Sequence, residues 1–454
     1  MGERDAVMKD RWIAPSADAD EKQEQRFQAW QNGDQIPFPD AEAKAAYQER
    51  AGLIKDAVQL KKAPSRIPIC PASGTFPIEY AGITWREAMY DYNKLTAAWE
   101  KYHDDFNTDV FHGPRVVVPG KPLDLLDFKL YRWAGGGLKE TQEYQFVERE
   151  YMPAASYQDL IDDPTGFFLN FYFPQIFEGL KPFEKFPLLP PVHEIPLVPP
   201  AILPFGTPEM KTALQRLIQA GEETQKWSAS VGPASLQIMS RGLPAFSGGF
   251  SKAPFDVIGD SLRGTRGVLL DMFRYKDELI EACDRLVPFM VKCGIAACNA
   301  TGHLMPYLPL HKGADGFMSD EQFKTFYWPS LRKVAIGLID AGLVPILFAE
   351  GSYNQRLEII GDLPKGKAIW LFDTTDMARA KAVLEEVCCI AGNVPLDLLC
   401  TGTPDDITEY CKKLIDSAAQ DGGFILSTGA GMQGARPENV KAMIDFSREY
   451  GVYR

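Results

Sequence analysis

Between Val344 and Gly434 four short apolar runs recur: VPILFAEG, KAIWLFDTTD, CCIAGNVPLDLL and GGFILSTGAGMQG. Each ends in small or polar residues, and segments with helical spacing separate them. Such β–α–β–α alternation is the pattern of a parallel sheet with helices outside it. It predicts strands near 344–348, 368–372, 388–391 and 423–427. In parallel sheets of this kind the chemistry lies just past the carboxyl ends of the strands. Those positions hold Glu350, Asp373, Asn393 and the loop Thr428–Gly429–Ala430–Gly431. Of these only Glu350 and Asp373 can exchange protons, so the others are expected to position a ligand.

The length, 454 residues, suits one large domain with additions or two domains. Hydrophobic residues make up 45%, enough for a sizeable core, and the net charge of −13 argues against nucleic acid or an anionic membrane as the main partner. No apolar run approaches the ~20 residues of a membrane span. The opening MGERDAVMKDRW has no apolar signal region, so the expected location is cytoplasmic. The eight cysteines include no CxxC pair. They are expected to be reduced, with Cys388 and Cys389 acting as small hydrophobes on a buried strand. Cys293 and Cys298 have poor spacing for zinc.

Residues 1–60 form a polar arm with a helical pattern from Ala41 to Leu60. Its aromatics Trp12, Phe27 and Trp30 would pack on the body or on a second subunit of a homodimer; a partly ordered tail is the plainer alternative. The body, 61–454, begins with a strand, RIPICP, and the loop ASGTFPIEYAGI. Thr84 and Glu87 then form a capping box for a helix whose apolar face is Met89, Tyr92, Leu95, Trp99 and Tyr102. Asp109 to Val118 reads as a second strand. From about 120 to 250 the rhythm breaks into Pro- and aromatic-rich runs, including FPLLPPVHEIPLVPPAILP, which do not build sheet strands. This insertion extends the mouth of the sheet, either as part of a ligand pocket or as packed decoration. Within it Pro208 to Ser228 is helical and ASLQIMS reads as a returning strand. Asp277 to Cys293 is amphipathic, and Asp320 to Ala341 is a long helix kinked at Pro329. Thr403 caps the next helix, with Pro404 in its first turn, and Pro437 opens the last.

Gly429–Ala430–Gly431–Met432–Gln433–Gly434 matches GxGxxG between a strand and a helix. Too little chain follows for the strand that would carry an acidic ribose partner. The loop can instead offer N–H groups to an anion, or need glycine only for tight turns. Glu350, after a buried strand, fits a general acid–base or a metal ligand, with a lone exposed Glu as the plainer alternative. Unpaired burial is costly, so it is expected to pair with His311, with Arg356 early in the following helix, with a metal or with substrate. Asp373 has either an acid–base role or a cap to give the helix that starts near Asp376. His311, in the loop PYLPLHKGADGFMS, is a candidate acid–base or a plain surface histidine; with His303 it forms no HExxH spacing. GxSxG, P-loop and DxHxxG motifs are absent.

Three stretches together resemble the uroporphyrinogen decarboxylase superfamily over roughly residues 60–120 and 250–454. They are IEYAGITWREAMYDYNKLTAAWEKYHDDFNTDV, APFDVIGDSLRGTRGVLLDMFR, and the run from AGNVPLDLLCTGTPDDITEYCKKLID through GGFILSTGAG to ARPENVKAMIDFSREYG. The resemblance implies an α/β fold, a (β/α)8 TIM barrel, here with an N-terminal helical arm and an inserted Pro/aromatic-rich segment. It implies one of two chemistries. Decarboxylases of tetrapyrroles use an Arg-rich loop after the first strand and a catalytic Asp; the corresponding loop here, PASGTFPIEYAG, has no Arg. Methyltransferases of the corrinoid and coenzyme M type bind zinc through His-x-Cys and a later Cys. The matching positions are Phe348–Ala349–Glu350 and Gly429–Ala430–Gly431, so a thiolate site is not expected. A harder oxygen and nitrogen site for a divalent metal, including His311, is the remaining option. The expected activity is methyl transfer from a small substrate, with a methoxylated aromatic suggested by the insertion, to a corrinoid (cobalamin) carried by a partner protein. Decarboxylation of another carboxylated substrate and a non-catalytic binding barrel are the alternatives. The expected catalytic residues are Glu350, His311 and Asp373; Arg356, Asn393, Thr428, Gly429 and Gly431 would bind substrate.

Overall fold

The computed structural model describes residues 18–187 and 192–453; Trp12 lies outside them. The arm forms two helices, α1 (Ala19–Asn32) and α2 (Ala41–Gln59), and Asp40 caps the second through the N–H of Ala43. Phe27, Trp30, Tyr47, Ile54 and Val58 are buried in the main core. Arg26 bonds the carbonyl of Ala341 at 2.9 Å. The arm is therefore packed on the body of its own chain.

Thr84 and Glu87 form the reciprocal capping box that starts α3 (Trp85–Tyr90). Asp91 interrupts the expected continuous helix. Its backbone is extended and its carboxylate accepts the N–H groups of Asn93 and Lys94, starting α4 (Tyr92–Asp105) afresh. The expected strand at 109–118 shrinks to one bridging residue, Phe111, because Gly113, Pro114 and Pro119 limit pairing and Pro114–Val116 forms a helical turn.

The insertion contains a small sheet of β1 (Tyr131–Ala134), β2 (Gly137–Leu138) and β3 (Gln145–Phe146) in the order β2–β1–β3. It also contains α5 (Pro208–Met239). The expected strand ASLQIMS is the last turns of α5. Val231, Ser235 and Ile238 continue its buried face, and the Ser235 hydroxyl bonds the carbonyl of Val231. Helical period outlasts the short two-residue alternation there.

The main sheet is parallel and runs β4 (Gly249–Phe250), β5 (Pro306–Leu310), β6 (Ile346–Ala349), β7 (Ile369–Phe372), β8 (Cys389–Val394), β9 (Phe424–Thr428), in sequence order. The last four match the expected runs within a few residues, and all are parallel. β7, β8 and β9 are buried throughout, as strands covered on both faces must be. Helices α6 (Gly264–Arg274), α7 (Lys276–Thr301), α8 (Trp328–Asp340), α9 (Met377–Leu384), α10 (Pro404–Ala418) and α11 (Pro437–Tyr450) connect or follow the strands.

Both sheet edges carry further pairing. Ile69 bridges Leu426 of β9 in parallel, and Phe111 bridges Ala245, just before β4. The N–H of Asp109 reaches the carbonyl of Ile69 at 3.0 Å. The fully buried Asp109 carboxylate clamps this junction. Arg66 binds it with two contacts of 2.6 and 2.8 Å, Arg448 at 3.0 Å, and the Ile69 N–H at 2.8 Å. Burial alone would raise its pKa, but the Arg66 hydrogen bonds and the two guanidinium charges hold it below the ordinary aspartate value.

Candidate functional site

His311 directly follows β5, and Glu350 directly follows β6, so both stand at carboxyl ends of adjacent parallel strands. The His311 Nε2 and Glu350 Oε2 atoms are 3.6 Å apart, and both side chains are part-exposed. That separation exceeds a hydrogen bond. The stronger partner of His311 is Asp260, whose Oδ2 lies 2.7 Å from Nδ1. Lys252 (2.6 Å) and Lys312 (3.1 Å) also hold the Asp260 carboxylate.

A second carboxylate lies behind this group. Asp256 is fully buried and accepts the backbone N–H of His311 at 3.0 Å, the N–H of Lys312 at 3.1 Å and the Tyr327 hydroxyl at 2.8 Å. Two π-helical turns set this geometry. Val257–Leu262 carries Asp260, and Phe323–Tyr327 ends in Tyr327. Single π turns recur at functional sites because the wider turn redirects side chains. The second precedes Trp328–Pro329, where proline has no N–H to give. Pro329 thus sits in the first turn of α8 after a widened turn, rather than kinking the middle of one helix.

The charges sort the two aspartates. Burial, then the charge of Asp260, pushes Asp256 up to about 6. Burial opposes ionisation of Asp260 too, but the His311 hydrogen bond and the Lys252 charge bring it well below the ordinary value. For His311, burial disfavours the imidazolium, yet the hydrogen bond and charge of Asp260 outweigh it and raise the pKa. The site therefore holds a hydrogen-bonded His–Asp pair with Nε2 3.6 Å from Glu350.

The other expected residues have different work. Arg356 is fully buried and does not reach Glu350. It binds Asp320, the carbonyl of Met318 and the carbonyl of Gly313 at 3.2 Å, with Asp315 at 3.8 Å, so it holds the loop after β5. Asp373 does not cap a helix; Asp376 does, through the N–H groups of Ala378 and Arg379. Asp373 accepts the N–H of Gly351 at 3.0 Å, tying the loops after β6 and β7, and burial raises its pKa. Asn393 faces Tyr410 and donates to the Thr375 carbonyl at 2.7 Å. Thr428 bonds the Ala430 carbonyl at 2.6 Å and accepts the Ala72 N–H at 3.1 Å. In the GxGxxG loop the Gly429 N–H serves Val394 and the Gly434 N–H serves the Glu79 carboxylate at 2.7 Å. Protein acceptors thus take both ends of that loop, and Gly431 packs against Gly74.

Residues 235–450 match the family model of uroporphyrinogen decarboxylase (URO-D). This segment belongs to the uroporphyrinogen decarboxylase superfamily. Over 89% of the chain the fold is similar to that of a methyltransferase from Methanosarcina mazei, covering 98% of that protein, with a TM-score of 0.56 and 16% identity. No curated protein matches the chain.

Within the URO-D segment fall Asp256, Asp260, His311, Tyr327 and Glu350. The zinc-thiolate arrangement of the superfamily's methyltransferase branch does not fit the side chains here. Glu350 and glycines stand where thiolates are needed. The nearby Cys400 donates its thiol to the Gln433 carbonyl. Among the described residues no three His, Cys, Asp or Glu side chains are grouped to hold a metal ion.

Asp256, Asp260, Lys252, Lys312 and Tyr327 were not legible as site residues. Asp256 and Asp260 sit in APFDVIGDSLRG with helical spacing, which reads as a solvated face. The strand β4 ahead of them, in GGFSKA, places both aspartates past a strand's carboxyl end, but at two residues it has no period to read.

Proposed function

We propose that the chain is a methyltransferase-type enzyme of the URO-D superfamily. It would take a methyl group from a small methoxylated aromatic and pass it to a corrinoid carried by a partner protein. The fold proposed with it is a (β/α)8 barrel. The bridges of Ile69 to Leu426 and of Phe111 to Ala245 support closure, because they extend pairing from both sheet edges toward the Asp109 clamp. The active site would then be the mouth at the carboxyl ends of the strands.

The observation that carries the reading is the His311–Asp260 pair beside Glu350. In the proposed reaction the methyl carbon–oxygen bond breaks and its electron pair goes to oxygen. A phenolate oxygen is a poor leaving group unless it is protonated, and His311 supplies that proton as a general acid. Asp260 keeps the imidazole charged and oriented, and Glu350 would return the proton from solvent. Aromatic surfaces on two sides favour a flat ring. Tyr307 stacks on Phe348 at 5.8 Å and meets Phe250 edge-on at 5.5 Å. From the insertion Tyr144 meets Tyr131 at 5.6 Å and Trp85 at 6.1 Å. Burial, with smaller additions from Glu143, Tyr131 and Glu350, pushes Tyr144 up to about 12, which keeps it a hydrogen-bond donor. The M. mazei protein of similar fold is a methyltransferase, which agrees with the reading.

Decarboxylation is the second reading, favoured by one observation: Lys252 and Lys312 flank His311 and suit a carboxylate. There the carbon–carboxyl bond breaks, carbon dioxide leaves, and His311 protonates the carbanion. The test offers methoxylated phenols and, separately, aromatic carboxylic acids to the enzyme with reduced free cobalamin. Release of phenol with loss of the reduced-corrinoid absorbance supports methyl transfer. Release of carbon dioxide without that change supports decarboxylation, and neither product from any substrate overturns both.

A further inference from the structure

A cavity of about 700 Å³ opens beside α6, with Thr265 in its lining and His311 outside it. Its wall comes from the chain after β3 and from the first turns and outer face of α6. Four guanidinium groups line it, those of Arg149, Arg263, Arg266 and Arg274, against three carboxylates. Two of the carboxylates are consumed. Arg263 is buried, binds Asp271 through Nε at 2.5 Å and also binds Glu150. The third, Glu148, accepts the backbone N–H of Thr265 at 2.7 Å.

Arg149, Arg266 and Arg274 form no ion pair among the described residues. Arg149 is held in place by the Gln175 carbonyl at 3.1 Å and by the ring of Tyr151, 4.3 Å from its guanidinium carbon. Arg266 and Arg274 are exposed on α6. Three guanidiniums without an ion-pair partner around one cavity, whose lining carries one more positive than negative group, stand out in a chain of net charge −13. Surface arginines in such a chain have many acidic neighbours available. Guanidinium forks match planar carboxylate and phosphate oxygens.

We propose that this cavity binds a small ligand carrying at least two anionic groups, carboxylates or phosphates, at a site separate from the His311 mouth. Hydrogen bonds run between the two sites. Thr265 lines the cavity, and its hydroxyl accepts a hydrogen bond from Lys312 Nζ at 3.0 Å. Lys312 in turn holds Asp260, the partner of His311. The proposal does not depend on which reaction the mouth performs.

The test is titration calorimetry of the full chain with pyrophosphate and, in a second series, citrate. A single site is expected for at least one probe. Loss of one guanidinium contact should weaken it roughly 10-fold or more, so Arg266→Ala with Arg274→Ala should weaken it on the order of 100-fold. His311→Gln should leave it unchanged. Preference for pyrophosphate or for citrate assigns the phosphate or the carboxylate source. The proposal is overturned by absence of saturable binding of either probe. It is equally overturned by binding that survives the double arginine change, or that disappears in His311→Gln, which would place the anion in the mouth. Circular dichroism of the double variant checks its fold; if it is unfolded, Arg149→Met alone gives the same reading through a side chain outside α6.

Discussion

Nδ1 of His311 lies 2.7 Å from Oδ2 of Asp260, although the residues come from loops after different strands. Asp256 fixes that meeting by accepting the backbone N–H of His311. Because Asp260 raises the His311 pKa, a general acid here works below that pKa and fails as pH rises through it. Asp260→Asn removes the charge, so the alkaline fall in kcat/KM should begin at lower pH. The rate at neutral pH should drop by an amount within the 10²–10⁴-fold expected for general acid–base groups. NMR titration of His311 reads the same shift directly; an unchanged titration in the Asn variant would remove Asp260 from the mechanism.

Glu350 makes no closer contact to the dyad than 3.6 Å and has a part-exposed side chain. Glu350→Gln should therefore leave the melting temperature nearly unchanged, since surface changes of this kind stay within about 0.5 kcal/mol. If Glu350 reloads His311, turnover should fall by roughly 10²-fold or more. Full activity in the purified Gln variant would leave Glu350 without a catalytic part.

Asp109 is the opposite case, buried and structural. Its carboxylate joins Arg66 and Arg448, and so the first pairing segment, to α11. Asp109→Asn leaves part-buried guanidiniums without their counter-charge at a fully buried position. The expected cost is about 3–5 kcal/mol, typical of breaking a buried pair from one side. Urea unfolding measures it, and a loss below about 1 kcal/mol would contradict the clamp.

The sheet was legible where burial on both faces makes a strand a continuous apolar run, as in IWLF of β7 and FILST of β9. It was illegible where pairing is one or two residues long, at Phe111 and in β4, since no period exists to detect. Glu350 and His311 could be placed because each follows such a run. Arg356 misled because a charged side chain near Glu350 in sequence suggested a pair, while the fold turned it under the loop to Asp320. The aspartates were hidden because their four-residue spacing reads as a solvated helix face, while the π turn and the buried Asp256 cannot be seen in the sequence.

The loop from Pro71 to Gly82 contains no arginine. Its one charged residue, Glu79, points its carboxylate at the N–H of Gly434. An acidic side chain there repels propionate and acetate groups instead of pairing with them. Uroporphyrinogen should be neither bound nor decarboxylated, and fluorescence detection of coproporphyrin after oxidation of the reaction mixture would overturn this.

Acid stability should be governed by histidines far from the site. His303 is buried beside Trp30, their rings 5.5 Å apart. Its Nδ1 accepts the Met305 N–H at 3.1 Å, and Nε2 lies 2.7 Å from the Ala245 carbonyl. That pattern needs a neutral ring with its proton on Nε2, because a protonated Nδ1 would face a donor. Burial lowers its pKa to about 4, and it likewise lowers His103 to about 4 and His112 to about 3. In the unfolded chain these groups titrate near 6.5. The stability they contribute is complete above pH 6.5 and is lost as pH falls through 4, because the unfolded state takes up protons first. Each such proton adds about 1.4 kcal/mol per pH unit to the slope. Asp256 works the other way between its unfolded value near 3.8 and its folded value of about 6, losing stability as pH rises, and so offsets about one of the three. His303→Gln keeps an acceptor and a donor but cannot titrate. Between pH 6.5 and 4 its unfolding free energy should fall less steeply than that of the parent by about 1.4 kcal/mol per pH unit. Urea unfolding of both proteins across that range measures the difference, and parallel slopes would show that His303 does not enter the fold as the neutral ring.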